Sequence, residues 1–235
     1  MTQTALITGA NKGLGLETAR QLARDFGFTV YLACRDPNRG LEAETLLQSE
    51  GLDAHFVLLD VTDEATIEAA AQTIASLDVL INNAGIMLEH TFQVGGVLSG
   101  DWKKTFDVNF FGVVNVTNAF LPLLEQSDAP RIVNLSAILG SISEISKPQM
   151  KIWIRASYSA SKAALNAYTV SLAQEHAGTK WKINAAHPGW AKTDMGGPNA
   201  LMTAEKGVKT VIQLATLDED GPSGGFFHMG KMMGW

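Results

Sequence analysis

Short apolar runs alternate with longer stretches of helical spacing along the whole chain. Thr4 to Thr8 reads as a buried strand ending in glycines. Gly13 to Phe26 carries apolar residues at Leu14, Leu16, Ala19, Leu22, Ala23 and Phe26, the spacing of one helix face. Thr29 to Cys34 predicts the next strand, and Pro37 opens a helix that runs towards Gln48 and stops before Gly51. A strand over Ala54 to Leu59, a helix over Ala65 to Leu77 and a strand over Val79 to Ile81 continue the pattern. A long helix from Asp101 to about Leu124 precedes a strand at Arg131 to Leu135. A helix from Ser157 to about Ala177 precedes a strand at Lys182 to Ala186. A helix near Ala204 to Leu217 and a strand near Gly225 to Met229 complete the series.

This alternation predicts an α/β fold with a parallel sheet covered by helices on both faces. Right-handed crossovers then make the sheet doubly wound. We expect one domain over residues 1–235, with about seven strands and no repeat, linker or low-complexity segment. The least regular stretches, 87–100, 141–156 and 189–203, follow strand ends. They should gather at the carboxyl edge of the sheet, where ligands bind in open α/β folds.

Composition narrows this picture. Hydrophobic residues make up 46% of 235, enough for one large core. With 18 basic residues against 24 acidic, the net charge of −6 gives no basic face for nucleic acid. A lone cysteine, Cys34, excludes an intrachain disulfide framework and fits a reducing compartment. The most apolar stretch, Phe106 to Leu124, is interrupted by Asp107, Asn109, Asn115, Asn118 and Pro122. It is expected to be a buried amphipathic helix and not a membrane span. No basic leader followed by a long apolar run precedes the first strand, so a cytoplasmic protein without a membrane partner is expected. His55, His90, His176, His187 and His228 lack the company of a zinc site, and no metal is expected.

Two constellations carry candidate chemistry. Thr8 to Gly15, a Thr-Gly-x-x-x-Gly-x-Gly turn, lies between the first strand and the first helix. Glycines let backbone approach a pyrophosphate, and the helix N-terminus supplies amide donors. Gly9, Asn11, Lys12, Gly13, Leu14 and Gly15 are therefore candidate dinucleotide-binding residues, a tight turn without ligand being the plain alternative. At the end of the second strand, Cys34 stands where an NAD protein places a ribose-binding acid, and Arg35 follows. Arg35 and Lys12 are suited to a 2′-phosphate and argue for NADP(H). Solvated surface charge is the alternative, with Asp36 able to recruit the arginine. Asp60 and Val61 are placed to flank an adenine, with helix capping as the other reading of Asp60. The second constellation is Tyr158 and Lys162, four residues apart on one helix face. A nearby ammonium favours phenolate, so the tyrosine pKa is expected to fall. Tyr158 is then a candidate proton donor to a carbonyl that accepts hydride, and Lys162 can hold the nicotinamide ribose.

Thr8–Gly15, Asn82-Asn83-Ala84-Gly85, Asn109, Tyr158–Lys162 and Pro188-Gly189 occur in the order and approximate spacing of the short-chain dehydrogenases/reductases. The chain resembles that family over nearly its whole length. The Asn-Lys of the glycine loop, Ala33-Cys34-Arg35-Asp36, Asn109-Phe110-Phe111-Gly112 and the run from Pro188 to Met195 resemble its NADPH-dependent carbonyl reductase branch. The resemblance implies a Rossmann sheet and a small hydrophobic carbonyl substrate. It implies that Asn82, Asn83, Ala84 and Gly85 steady the sheet and line the cofactor cleft. Asn109 would bend its helix around a water that links Lys162 to solvent, Pro188 and Gly189 would contact the nicotinamide, and Thr193 its carboxamide.

One position departs from the pattern. The family places its substrate-holding serine second in Asn-x-Ser-Ser-x-x-Gly. Aligning Asn134 and Gly140 puts Ala137 there, with Ser136 beside it. Adjacent strand residues point to opposite faces, so Ser136 can substitute only at a bulged or irregular strand end. Three readings stay open: a deliberate active-site replacement, a natural variant that uses Ser136 or Ser141, or a substrate that does not need the serine. The stretch between Ala137 and Tyr158 is longer than is usual for the family. Its Ile145, Pro148, Met150, Ile152 and Trp153 are expected to cap the pocket opposite Trp190 and Met195, with core or interface packing as the alternative for Trp153. Met232, Met233 and Trp235 should pack near the pocket or on a neighbouring subunit. The resemblance also implies a homodimer or homotetramer joined through the two long helices. A non-turnover NADP(H)-binding sensor or scaffold remains the alternative function.

Overall fold

All five residues of β1 (Thr4–Thr8) are buried, as a central strand covered on both faces requires. The structure, a computed structural model, describes residues 2–89 and 96–235. β2 (Thr29–Cys34), β3 (Ala54–Leu58), β4 (Val79–Asn82), β5 (Arg131–Leu135), β6 (Lys182–Ala186) and β7 (Phe226–His228) join β1 in parallel. β8 (Lys231–Met232) pairs antiparallel with β7. Among the described residues the strand order is β3-β2-β1-β4-β5-β6-β7-β8. The winding reverses between β1 and β4, which opens a crevice at their carboxyl ends. The eighth strand exceeds the expected seven because a two-residue, exposed edge strand leaves no apolar run in the sequence.

Helices α1 (Gly13–Phe26), α2 (Pro37–Ser49), α3 (Glu64–Thr73), α4 (Ser99–Phe106), α5 (Gly112–Leu124), α6 (Ile142–Ile145), α7 (Ala156–Glu175), α8 (Ala204–Gly207) and α9 (Lys209–Ala215) surround the sheet. Alternate strand residues feed two cores. Ile7, Leu32 and Val133 pack with Leu22 of α1 and Val211 of α9. Leu6, Leu80 and Ile132 pack with Val116, Phe120 and Leu124 of α5 and Leu172 of α7. The span 99–124 is long and apolar enough by composition to cross a membrane, yet its apolar stripe is seated on the sheet.

Three predicted helices differ in detail. The one expected to reach Leu77 ends at Thr73, because Ile74 turns extended, and Ile74 and Leu77 enter the core from non-helical backbone. The long helix after Asp101 is interrupted by a π-helical turn at Asp107–Phe111 that separates α4 from α5. Such turns insert one residue into the ladder and often mark functional positions. The helix expected to reach Leu217 is split into α8 and α9. Between β5 and α7, where no element was predicted, α6 lies between two 3-10 turns, Ile138–Gly140 and Pro148–Met150.

Candidate active site

The carboxyl ends of β1 and β4 are knitted together by side chains. Thr8 Oγ1 accepts from the amides of Asn83 and Ala84, each at 3.0 Å. Asn83 Nδ2 returns bonds to the carbonyls of Thr8 (2.7 Å) and Gly9 (3.2 Å). Gly9 has φ 66°, a left-handed conformation that favours glycine. A Cβ on Gly15 would stand 2.5 Å from the Gly9 carbonyl oxygen and 2.6 Å from Asn83 Nδ2. The loop therefore tolerates only glycine at this close approach. At the start of α1, Lys12 occupies the cap position without a side-chain cap, and the first turn holds no acidic residue. That arrangement leaves the positive end of the helix to an outside anion and fits a dinucleotide pyrophosphate.

Next to this cradle, Asn82 Nδ2 bonds Asn134 Oδ1 at 2.9 Å and Thr117 Oγ1 at 3.1 Å. Asn134 Nδ2 bonds Thr169 Oγ1 at 2.9 Å, so a buried polar ladder ties β4 and β5 to α5 and α7. Asn109 lies in the π-helical turn and is fully buried. Its side chain takes both backbone groups of Ile86, accepting from the amide at 2.8 Å and donating to the carbonyl at 2.9 Å. Its Nδ2 also reaches Ser161 Oγ of α7 at 3.1 Å. A Cβ on Gly85 would lie 3.3 Å from Asn109 Oδ1 and 3.6 Å from Lys162 Nζ. The residues expected to act together from β4, the π turn and α7 thus converge on one point.

Tyr158 and Lys162 are both buried on α7, with Nζ 5.9 Å from the phenol ring centroid. Lys162 Nζ donates to the Leu135 carbonyl at 2.7 Å. Burial pushes the phenol up to about 12 and the ammonium down to about 8. This corrects the expectation that the lysine lowers the tyrosine pKa: enclosure of the phenol prevails, and the ammonium is engaged with backbone. A phenol held protonated at neutral pH suits proton donation in the reductive direction.

Ser136 and Ala137 sit where β5 leaves the sheet. The ladder runs without a bulge to Leu135, and Ser136 N still bonds the Ala186 carbonyl at 2.9 Å. Ala137 is extended, with φ −147° and ψ 156°. The ladder ends at Leu135, and beyond it Ser136 is buried while Ala137 is only partly so. The Ser136 hydroxyl is buried and finds no partner among the described residues. Ser141 is committed elsewhere: its hydroxyl donates to the Gly234 carbonyl at 2.8 Å and accepts from Glu144 N. The C-terminal residues dock on this segment, with Ser143 N bonding the Trp235 carbonyl at 3.0 Å and the Trp235 ring stacked on Phe226.

At the adenosine end, Arg35 is exposed, and Asp36 does not recruit it. Asp36 caps α2 through the amides of Asn38 and Arg39 and pairs with Arg39 at 3.5 Å. Cys34 is buried, and burial raises its thiol pKa. Asp60 does not cap α3, which Asp63 does. Asp60 instead closes its own turn through Thr62 N and Oγ1. Val61 packs under Gly112, where a Cβ would meet it at 2.8 Å. Lys12 is not solvated alone but forms an ion pair with exposed Asp194. A 2′-phosphate at this position has to compete with that carboxylate.

The segment after β6 folds back over the cleft. Ala191 bridges Met202, Thr193 lies against Gly13, and Trp190 Nε1 donates to the Gly196 carbonyl at 2.8 Å. Trp153 meets Trp190 edge to face at 5.4 Å, so the stretch before Tyr158 and the stretch after Pro188 touch above the site. The predicted pocket wall 87–100 lies partly outside the described residues, as does His90. His55 pairs with Asp53, and His176 stacks on Trp181. His187 and His228 lie 4.6 Å apart beside Gly189, and His187 Nδ1 accepts from Gly189 N.

Burial, with His228 adjacent, pushes His187 down to about 3. The unfolded chain takes up this proton first, near the ordinary histidine value. The neutral form therefore stabilises the fold above about pH 6.5, and that contribution is lost as pH falls towards 3. Between pH 7 and pH 4 this single group should remove about 3 kcal/mol. Urea midpoints across that range should fall less steeply for His187→Asn, which keeps an acceptor for Gly189 N. An equal slope would contradict the assignment.

Glycine cradle, switch-point crevice and a buried Tyr/Lys pair on α7 are the features of a dinucleotide-binding α/β protein. Comparisons agree. The profile of the short chain dehydrogenase family matches residues 3–203. Carbonyl reductase [NADPH] 1 of Sus scrofa is 33% identical, covering 100% of this chain and 94% of that protein. (+)-Neomenthol dehydrogenase of Arabidopsis thaliana is 32% identical, covering 95% of each. The NADPH-bound carbonyl reductase from chicken fatty liver superposes with a TM-score of 0.87 at 32% identity, covering 100% of this chain and 99% of that one. The chain belongs to the short-chain dehydrogenase/reductase family and is an oxidoreductase of the carbonyl reductase type.

Proposed function

We propose that the protein is an NADP(H)-dependent reductase of small hydrophobic carbonyls, with Tyr158 as proton donor. The observation that carries this reading is the buried Tyr158–Lys162 pair, whose Lys162 Nζ reaches Gly85 beside the glycine cradle. NADPH would supply the hydride. Gly9, Asn11, Gly13, Leu14 and Gly15 would hold its pyrophosphate, and Arg35 with Lys12 its 2′-phosphate. Asp60 and Val61 would flank the adenine, and Asn83, Ala84 and Gly85 would line the cleft. Pro188, Gly189 and Thr193 would bound the nicotinamide end. Protonated Tyr158 hydrogen-bonds the carbonyl oxygen and gives up its proton as charge develops there. Lys162 holds ribose and steadies the phenolate left behind. Asn109 fixes Ile86 and Ser161, and so the spacing of α7 from the cleft.

Half-exposed Trp153 and Trp190, in contact, form an apolar lid suited to a ketone, aldehyde or quinone. A homodimer or homotetramer through α5 and α7 belongs to the same reading, supported by Phe111, 51% exposed beside the Phe110–Tyr168 contact. So does a cytoplasmic location, supported by the single cysteine. One observation favours a second reading, a non-turnover NADP(H)-binding protein: Ala137 stands where the family has its serine. Titration of NADPH and NADH by nicotinamide fluorescence, followed by a carbonyl panel, separates the two. Arg35→Asp should weaken NADPH by about tenfold to a hundredfold, the range of one charge-assisted contact, and leave NADH unchanged. Equal loss for both cofactors would contradict the 2′-phosphate role.

A further inference from the structure

The first turn of α7, which carries Tyr158, has no local cap. Arg155 occupies the cap position in extended conformation without a side-chain cap bond, and the turn contains no acidic residue. Its amides are instead met from a distance. Glu89, on the loop that follows Asn82–Gly85, accepts from Ser157 N at 2.8 Å through Oε1 and from Tyr158 N at 3.0 Å through Oε2. The carboxylate belongs to a residue only 6% exposed. Burying a carboxylate is costly, and the positive end of a helix with two amide donors offsets that cost. A serine or aspartate at 155 would cap the helix from the surface without burying a charge. What the distant carboxylate adds is a tie between two segments.

The same loop is tied to α7 a second time, because Asn109 grips Ile86 and bonds Ser161. Ser157 Oγ also donates to Thr105 Oγ1 of α4 at 3.3 Å. The loop flanking the cofactor cleft is thus clamped to α7 one turn apart, with Tyr158 at one clamp and Lys162 next to the other.

We propose that Glu89 is a positioning residue for the reaction: its buried carboxylate, bonded to the amides of Ser157 and Tyr158, sets the distance between the Tyr158 phenol and the cofactor cleft. The proposal rests on the reading of Tyr158 as proton donor, so its test includes a readout that needs no turnover.

Tyr31, Tyr158 and Tyr168 give three signals in protein labelled with 3-fluorotyrosine, and Tyr158→Phe assigns one of them. Glu89→Ala should displace or broaden the Tyr158 signal and leave Tyr31 unmoved. In turnover it should lower kcat about tenfold to a hundredfold, the size expected of a misplaced catalytic group, with NADPH affinity within twofold. Glu89→Gln, which keeps an acceptor oxygen, should recover most of kcat. Should Glu89→Ala perturb all three signals, Glu89→Asp, which keeps the charge but shortens the reach to the two amides, decides by the same criteria. An unmoved Tyr158 signal overturns the proposal, as does a lowered melting temperature with kcat within twofold of the parent. A displaced Tyr158 signal in a protein that reduces no carbonyl supports the clamp and counts against the proposed reaction alone.

Discussion

Ala137→Ser is expected to raise kcat for NADPH-dependent carbonyl reduction by about 10²- to 10³-fold, the usual worth of one donor to a developing oxyanion. The backbone is already in place for it. Ala137 is extended at the carboxyl end of β5, and its carbonyl accepts from Gly140 N at 2.8 Å, fixing the turn that follows. A serine adds one oxygen at an incompletely buried position and disturbs no packed core. The neighbouring hydroxyls do not duplicate it. Ser141 is fully buried and bonded to the C-terminal backbone, and the Ser136 hydroxyl is buried, whereas position 137 is only partly so. Steady-state kinetics on a hydrophobic ketone check the prediction. An unchanged kcat would show that position 137 does not limit the reaction.

Tyr158→Phe should lower kcat by about 10²- to 10⁴-fold, the range of a positioned general acid. The substitution removes one oxygen and keeps the ring that α7 buries, so the fold and NADPH binding should survive. The parent phenol, pushed up to about 12 by burial, stays protonated throughout the neutral range. Loss of activity between pH 6 and 9 therefore should not follow phenol ionisation. A fall as pH rises through about 8 would instead track loss of the Lys162 proton. Retained turnover in Tyr158→Phe would move the proton donor elsewhere.

The strands and the cofactor loop were legible in the sequence for a physical reason. Parallel strands buried on both faces are mostly apolar runs, and Thr4–Thr8, Arg131–Leu135 and Lys182–Ala186 match the structure to the residue. Gly9 and Gly15 could be read because close backbone approach admits little else. The π turn at Asn109 left no trace in the hydrophobic pattern, since one added residue within a helix hardly alters a 3.6-residue period, and only the family resemblance implied a bend there. Glu89 was missed altogether. A lone acid in a loop carries no local signal, and its partners lie 68 and 69 residues away. The tyrosine pKa was misjudged for a related reason: spacing showed the lysine, whereas the enclosure that outweighs it comes from the tertiary fold. The pairing of Lys12 with Asp194 joins two loops and was equally invisible.

The most direct test of the account is NADPH consumption across a panel of hydrophobic ketones, aldehydes and quinones, with the parent chain, Ala137→Ser and Tyr158→Phe measured side by side. The account predicts carbonyl-dependent oxidation by the parent, a large gain with serine at 137, and loss in Tyr158→Phe although NADPH still binds. NADPH binding by all three, with no oxidation on any carbonyl even in Ala137→Ser, would contradict it and leave a nucleotide-binding protein without turnover.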